Sequence, residues 1–257
     1  MADHTEATQS GSAHINWGPV AAVVVSFGIY IAAQVIVGVV FSLLPLLWGW
    51  NTARVQTWLD TSLLAQFVSV VLIEAASLYM LWLFLKSRKA KFSDIGLVRP
   101  RLQDIWRALT AFGVYYLLLM AATQVASQLI PSLNLEQEQQ LGFDKATSGL
   151  SLVPIFISLV ILPPLVEEIL ARGFLYTGLR KKLPIVVSAI ITSLLFAAAH
   201  LQFGSGNALL WVAAIDTFML SLVLVYLREK TGSLWAPILL HMIKNGVAFT
   251  YLFILSA

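Results

Sequence analysis

The sequence contains no cysteine and very few charged residues. None of its 257 residues is Cys, and only 11% are Asp, Glu, Lys or Arg. The absence of cysteine excludes disulfide bonds, thiol catalysis, and zinc or iron–sulfur sites built on Cys ligands. A soluble globular domain carries about 25% charged residues. The charge content therefore excludes an ordinary soluble fold.

Hydrophobic residues dominate the composition instead. They make up 59% of the chain, and the mean hydropathy is +0.84, which predicts a polytopic protein of the lipid bilayer. The net charge is +3, but the basic residues lie in loops, where they set membrane topology. We therefore expect no nucleic-acid partner.

Seven apolar segments are candidates for crossing the bilayer, with about 20 residues as the guide. They span residues 19–44, 61–85, 107–130, 150–179, 184–200, 207–227 and 233–255. The fourth contains Pro163 and Pro164, which predict a kink or a break because proline lacks the backbone N–H. The fifth is short. The predicted fold is an all-α, polytopic transmembrane helix bundle with a proline-broken fourth segment.

The start of the chain differs from the rest in composition. Residues 1–17 are polar and have no basic stretch ahead of the first apolar segment, so we expect a disordered tail and no cleavable signal peptide. Residues 18–257 are predicted to form a single transmembrane domain.

The basic residues of the loops predict the orientation. Residues 86–107, 180–182 and 228–230 are rich in Lys and Arg, and they alternate with loops poor in basic residues, such as the acidic loop 131–149. We expect the three basic loops and the N-terminus on the cytoplasmic side. This pattern fits an integral multi-pass protein of a prokaryotic plasma membrane.

One apolar stretch, Leu162–Phe174, carries three charges: Glu167, Glu168 and Arg172. A charge at the bilayer centre costs about 2.5–3.5 kcal/mol on insertion scales. On a helix, Glu168 and Arg172 are i,i+4 and can form an ion pair, whereas Glu167 points about 100° away from Glu168. A carboxylate without an ion-pair partner suits general acid/base work. The alternative is a structural salt bridge in a helix that crosses the membrane interface.

Further polar residues lie in the apolar segments: Glu74, His200, Asp216, His241, Lys244 and Asn245. Glu74 and Asp216 are single carboxylates with no motif around them. Each can be protonated, or paired with Lys244 or Arg172, and we place both outside the site.

Counting residues predicts that Glu167 and His200 lie at the same depth. Glu167 is sixteen residues before Leu183, and His200 is sixteen residues after Pro184, at the turn between the fourth and fifth segments. Both are then about 24 Å from that turn, at about 1.5 Å per helical residue.

His241 and Asn245 reach a similar layer from the last segment. They are i,i+4 and share one helix face. The turn near Gly232 lies nine and thirteen residues before them, which places them roughly 13–20 Å deep. Polar groups from three helices are therefore predicted to converge.

Three motifs occur in order along successive segments: Glu167-Glu168-x-x-x-Arg172, Phe196-x-x-x-His200 and His241-x-x-x-Asn245. Their residue types and spacings resemble the motifs of the CPBP family, the CAAX proteases and bacteriocin-processing enzymes, also called the Abi family. The resemblance covers residues 92–250, with similar flanks at 95–100 and 230–238. Asp216 is a local departure from the apolar segment expected there.

The resemblance implies an intramembrane glutamate endopeptidase of the CAAX-processing type. It implies that Glu167 and His200 activate the water and that His241 and Asn245 stabilise the oxyanion. Such a site needs no serine or cysteine nucleophile. The implied substrate is a membrane-bound or lipidated peptide, either CAAX-like or a bacteriocin or signal peptide.

Glu168 and Arg172 would order this site through their ion pair. A zinc site is the mechanistic rival, because Glu167, His200 and His241 match a catalytic zinc set. The sequence has no H-E-x-x-H motif, and Arg172 would be an unfavourable neighbour for a divalent cation. We therefore favour a metal-free mechanism without a cofactor.

Two other functions compete with the protease. One is a non-catalytic membrane immunity or scaffold protein of the same fold. The other is a proton-coupled transporter, whose carboxylates and histidines would relay protons. Against transport, the sequence has no inverted repeat and no paired broken segments in two halves.

Overall fold

The computed structural model describes residues 15–134, 137, 142–143, 148–202 and 209–255. Residues 1–14 of the predicted tail lie outside the described residues. So do Glu136, Glu138 and Asp144 of the predicted acidic loop.

Within those ranges the chain is built from helices and contains no strand. The α-helices are α1 (Pro19–Leu43), α2 (Thr52–Thr61), α3 (Leu63–Ser87), α4 (Leu102–Leu129), α5 (Leu152–Phe156), α6 (Leu162–Glu168), α7 (Tyr176–Arg180), α8 (Ile185–Ala199), α9 (Trp211–Thr231) and α10 (Trp235–Thr250). Short 3-10 helices cover Leu44–Trp48, Phe92–Ile95 and Gly149–Ser151, and π-helical segments cover Ile157–Ile161, Ile169–Leu175 and Tyr251–Leu255.

Six helical stretches of the described chain are long and apolar enough to cross a bilayer. They are Pro19–Trp48, Leu63–Ser87, Leu102–Leu129, Gly149–Arg180, Trp211–Thr231 and Trp235–Leu255, and α8 is a shorter apolar helix of 15 residues. The prediction of an all-α polytopic bundle with a short fifth segment is confirmed.

The fourth span is helical throughout, but its helix is irregular. The π-helical segment Ile157–Ile161 comes directly before α6, and Pro163 and Pro164 lie in the first turn of α6. Neither proline carries a backbone N–H, so the helical hydrogen-bond ladder loses two donors at this point. The prolines therefore change the helix geometry, and the chain continues as one span instead of two separate pieces.

Helix α1 packs against the fourth span through small residues. Its buried face consists of Ala22, Ser26, Ile29, Ala33 and Val37. At Gly178 of α7 the two helices come so close that an added Cβ would lie 2.5 Å from the Cβ of Ala22. A larger residue at either position would push α1 away from the core.

Residues 15–17 are packed onto one end of the bundle. Trp17 is 3% exposed, Lys181 Nζ donates to the Ile15 carbonyl (2.6 Å), and Asn16 Nδ2 donates to the Arg88 carbonyl (3.5 Å). The described residues of the predicted tail are therefore packed against the bundle. The start of α1 lies at the same end as the basic loops, and the cytoplasmic location of that end stays a prediction.

The two segments that flank the motifs contact each other. Leu234 N donates to the Gly96 carbonyl (2.9 Å), and Trp235 Nε1 donates to the Val98 carbonyl (2.6 Å). Gly96 has φ +95°, and a Cβ there would lie 2.5 Å from the Arg228 guanidinium carbon. The backbone conformation favours glycine, and a Cβ there would also require the Arg228 guanidinium to move.

Candidate active site

The residues of the three motifs come from three parts of the bundle. Glu167 and Glu168 end α6, Arg172 lies in the π-helical segment Ile169–Leu175, His200 follows α8, and His241 and Asn245 lie on α10. All seven residues of that π-helical segment are buried.

Glu168 and Arg172 form the ion pair that their spacing predicts. Arg172 Nη1 lies 2.7 Å from Glu168 Oε1, and both side chains are 0% exposed. The Arg172 guanidinium also lies over the Phe196 ring, 4.2 Å from its centroid, in a cation–π arrangement. The first and second motifs are therefore joined at the centre of the bundle.

His241 connects this pair to the first glutamate of the motif. Its Nδ1–H donates to Glu168 Oε1 at 2.9 Å, and its Nε2 lies 3.9 Å from Glu167 Oε2. In a histidine, the hydrogen bond made by one ring nitrogen determines which of the two nitrogens carries the proton. Glu168 therefore orients the imidazole toward Glu167, a contact that the spacing rules did not predict.

The two adjacent glutamates have different surroundings. The Glu167 side chain is 26% exposed, whereas that of Glu168 is 0% exposed. Glu167 and His200 line one mainly apolar cavity of about 70 Å³. The structure therefore brings these two residues to one cavity, and Glu167 is the carboxylate that faces open space.

His200 is held by its own helix. Its Nδ1 lies 2.8 Å from the Phe196 carbonyl oxygen, and the two rings are in contact with centroids 4.7 Å apart. A carbonyl oxygen only accepts, so Nδ1 carries the proton. In the neutral imidazole, Nε2 is then the nitrogen with a free lone pair.

Asn245 hydrogen-bonds to the fourth span. Its Nδ2 donates to the Leu159 carbonyl at 2.9 Å. The α-helical donor to that carbonyl would be the nitrogen of Pro163, and the π-helical donor that of Pro164; neither carries hydrogen. The proline pair therefore leaves this carbonyl for the asparagine.

Helix α1 supplies a wall that the sequence analysis missed. Ser26, Phe27 and Tyr30 line the cavity beside Glu167 and His200. No motif marks them, because α1 is apolar on every face. The one available signal is the spacing of small residues at Ala22, Ser26 and Ala33, which is typical of close helix contacts in membranes.

The two carboxylates placed outside the motifs have separate environments. Asp216 Oδ2 lies 2.9 Å from Lys244 Nζ, and the Tyr115 hydroxyl donates to Asp216 Oδ1. This network joins α4, α9 and α10, and of the alternatives left open for Asp216 the structure has the pair with Lys244. Glu74 lies on α3, which packs against α6, and it interacts electrostatically with Glu167.

The rival zinc set does not fit this arrangement. In the part of the chain that the structure describes, no three His, Cys, Asp or Glu residues are grouped so that they could hold a metal ion. The Arg172 guanidinium lies beside the Glu168 carboxylate, and its positive charge is an unfavourable neighbour for a divalent cation.

Fold and site define a polytopic membrane protein with a buried Glu–Arg–His centre, in which a second glutamate faces a small apolar cavity. Residues 149–247 match the family model described as type II CAAX prenyl endopeptidase Rce1-like. This stretch contains all three motifs, and over it the predicted family resemblance is confirmed. The match is shorter than the predicted resemblance over 92–250, and it leaves α1 and α3 outside.

A curated protein from Escherichia coli, described as an uncharacterized 24.3 kDa protein, is 40% identical to this chain over 95 residues. The match covers 36% of this chain and 40% of that protein. The chain therefore aligns with less than half of that relative, whose description names no activity. No solved structure matches the chain.

Proposed function

We propose that the chain is an intramembrane endopeptidase that hydrolyses a peptide bond in a membrane-bound or lipidated substrate. The observation that carries this proposal is the shared cavity of Glu167 and His200, with the Glu168–Arg172 pair behind it. The family description of residues 149–247 supports the same reaction class.

Glu167 acts as the general base and then as the general acid. A water molecule between Glu167 and His200 Nε2 attacks the substrate carbonyl carbon and gives its proton to the Glu167 carboxylate. The same proton passes to the leaving nitrogen as the C–N bond breaks. The partial exposure of Glu167 toward the cavity, at 26%, suits it for this role better than the enclosed Glu168.

His241 and Asn245 stabilise the oxyanion of the tetrahedral intermediate. His241 donates Nδ1–H to Glu168, so it must carry a second proton on Nε2 to donate to the oxyanion. Asn245 gives one amide N–H to Leu159 and has a second N–H for the oxyanion. Each such donor contributes about 3–4 kcal/mol to the transition state.

Glu168 and Arg172 position the other groups. Arg172 holds Glu168 on one side, and Glu168 holds the His241 ring on the other. A catalytic group whose orientation is fixed in this way needs little reorganisation during the reaction. The pair therefore acts through His241 and does not touch the substrate.

The substrate class follows from the location of the site. The cavity lies among helices that cross the membrane, so the peptide bond must reach it from the bilayer or its interface. A CAAX-like lipidated peptide, a bacteriocin precursor or a signal peptide meets this requirement. We place the enzyme in a prokaryotic plasma membrane, with the start of α1 on the cytoplasmic side.

A survey of peptide N-termini in host membranes tests the proposal. Cells would carry the wild-type chain, Glu167→Gln, or Glu229→Gln as a matched carboxylate control outside the site. We expect new cleavage products with the wild type and Glu229→Gln, and none with Glu167→Gln at equal folded abundance. Identical profiles from the wild type and Glu167→Gln would contradict proteolysis and favour an immunity, scaffold or transport role.

A further inference from the structure

A second pocket lies at the end of the bundle that carries the basic loops, and it shares no residue with the cavity beside Glu167. We propose that this arginine pocket binds the phosphate group of an anionic phospholipid, with Arg228 as the principal ligand. Binding of a lipid does not depend on peptide hydrolysis, so the inference goes beyond the proposed function. The pocket is lined by Tyr176, Thr177, Arg180, Arg228, Glu229 and Gly232.

The carboxylate of the pocket already has its partners. The Tyr176 hydroxyl donates to Glu229 Oε2 at 2.6 Å, and Arg180 Nη2 donates to Glu229 Oε1 at 3.2 Å. Arg180 also donates from Nη1 to the Leu183 carbonyl at 3.0 Å. Arg180 and Glu229 therefore neutralise each other, and neither needs an external ligand.

Arg228 has no such partner. It is half-buried, and Glu229 attracts it only through space. Among the described residues it has no ion pair, and its one hydrogen bond is from Nε to the Arg172 carbonyl at 3.3 Å. Two arginines and one glutamate leave the pocket a net charge of +1. A partly buried charge is stabilised by a counter-ion, and the planar guanidinium fork matches two phosphate oxygens.

The guanidinium is held in place before any ligand binds. The bond from Nε to the Arg172 carbonyl ties it to the π-helical segment Ile169–Leu175. On another side it lies so close to Gly96 that a Cβ there would be 2.5 Å from the guanidinium carbon. A group that is positioned in advance loses less conformational freedom on binding. The Nη groups are thus ready to donate to an anion.

The surroundings of the pocket favour a lipid headgroup as the source of the phosphate. Tyr226, two residues before Arg228 on α9, is 59% exposed, and Lys230 Nζ lies 5.9 Å from the centroid of its ring. Exposed Tyr and Lys side chains at the end of a span are typical of the membrane–water interface. Basic pockets between membrane helices at this level bind anionic headgroups.

Native mass spectrometry of the purified chain in detergent would count bound lipids directly. Dioctanoyl phosphatidylglycerol would be compared with dioctanoyl phosphatidylcholine, which has the same acyl chains and a phosphate but no net charge. The proteins would be the wild type, Arg228→Gln and Lys230→Gln. Lys230 is the matched control, because it is an exposed cation on the same helix that does not line the pocket.

We expect the wild type to bind phosphatidylglycerol at least about tenfold more tightly than phosphatidylcholine. Arg228→Gln should lose most of this preference, whereas Lys230→Gln should keep it to within about threefold. Equal losses in the two variants would indicate diffuse attraction to the basic end of the bundle and would overturn the pocket.

A substitution at Thr177 tests the pocket while Arg228 stays in place. Thr177→Glu puts a carboxylate into the pocket, where it competes with phosphate for Arg228, and Thr177→Gln has nearly the same shape without the charge. The preference for phosphatidylglycerol should disappear in Thr177→Glu and persist in Thr177→Gln. An undiminished preference in Thr177→Glu would overturn the site.

The melting temperature of the wild type gives a readout that needs no variant. Phosphatidylglycerol should raise the Tm by about 3 °C or more relative to phosphatidylcholine, because a ligand that binds only the folded chain stabilises it. Inorganic phosphate at the same concentration should have no such effect. An equal rise with inorganic phosphate would overturn the lipid as the source, and no rise with either would overturn the phosphate site.

Discussion

The side-chain amide of Asn245 donates a hydrogen bond to the Leu159 carbonyl at 2.9 Å. The two residues lie on different spans, and Pro163 and Pro164 deprive this carbonyl of its backbone donors. The bond therefore ties the third motif to the irregular helix that carries the first motif. It also places one of the two proposed oxyanion donors at a defined position.

Substitution of Asn245 and Pro163 together should reveal this link. Asn245→Ala should lower the free energy of unfolding by about 1–3 kcal/mol, because it leaves the buried Leu159 carbonyl without a donor. Pro163→Ala supplies a backbone N–H to that carbonyl, so the double variant should lose less stability than Asn245→Ala alone. Unfolding in detergent micelles measures the coupling between the two substitutions.

Pro154→Ala is the matched control for that cycle. Pro154 lies in α5 of the same span. It precedes Leu159 in the chain, so its nitrogen is not at a position that would donate to the Leu159 carbonyl. Its effect should simply add to that of Asn245→Ala. Additive behaviour of Pro163→Ala and Asn245→Ala would contradict the proline-based explanation of the hydrogen bond.

Arg172→Ala should reduce both the folded yield and the activity. The substitution leaves Glu168, which is 0% exposed, as an uncompensated buried charge, and such a loss costs about 3–5 kcal/mol. The measurement is the folded fraction after extraction, together with the free energy of unfolding. Arg180→Ala is the control, because its pair with Glu229 is 31% exposed on both sides and should contribute at most about 1 kcal/mol. Normal yield and activity of Arg172→Ala would remove its structural role.

Asp216 and Lys244 should show compensating substitutions. Asp216→Leu removes the partner of Lys244 and of the Tyr115 hydroxyl, and Lys244→Met leaves the Asp216 charge unpaired. Each single change should lower the free energy of unfolding by about 1.5–3 kcal/mol. The double variant should be more stable than the sum of the two predicts, because both charges are gone. A double variant as unstable as that sum would show that the pair is not coupled.

Removal of metal ions should leave the activity unchanged. The prediction follows from the geometry. In the part of the chain that the structure describes, no three His, Cys, Asp or Glu residues are grouped so that they could hold a metal ion, and the Arg172 guanidinium lies beside the Glu168 carboxylate. Peptide cleavage would be measured before and after treatment with a zinc chelator. Loss of activity with recovery on added zinc would instead make Glu167, His200 and His241 a metal site.

Much of this arrangement follows from simple rules applied to the sequence. Hydropathy locates the spans, and the i,i+4 spacing predicts the Glu168–Arg172 pair. Equal numbers of residues from a shared turn predict that Glu167 and His200 lie at the same depth. Each of these rules assumes regular helix geometry, although Arg172 and part of the count from Glu167 to the turn lie in the π-helical segment Ile169–Leu175.

The remaining features depend on backbone register and on the choice of a helix face. The π-helical segments Ile157–Ile161 and Ile169–Leu175 rotate the residues that follow them, and spacing rules for regular helices do not anticipate such rotations. In a helix as apolar as α1, hydrophobic periodicity does not distinguish the face toward the core from the face toward lipid. Ser26 and Tyr30 therefore cannot be identified as cavity residues from the sequence alone.

The order of the site residues along the chain has a consequence for biosynthesis. The wall formed by α1 is synthesised before the glutamates of α6, and these glutamates before His241 and Asn245 of α10. A nascent chain in which α10 has not entered the membrane holds the two glutamates without the imidazole and amide of the proposed oxyanion site. Under the proposed function, hydrolysis therefore requires that α10 is already in place.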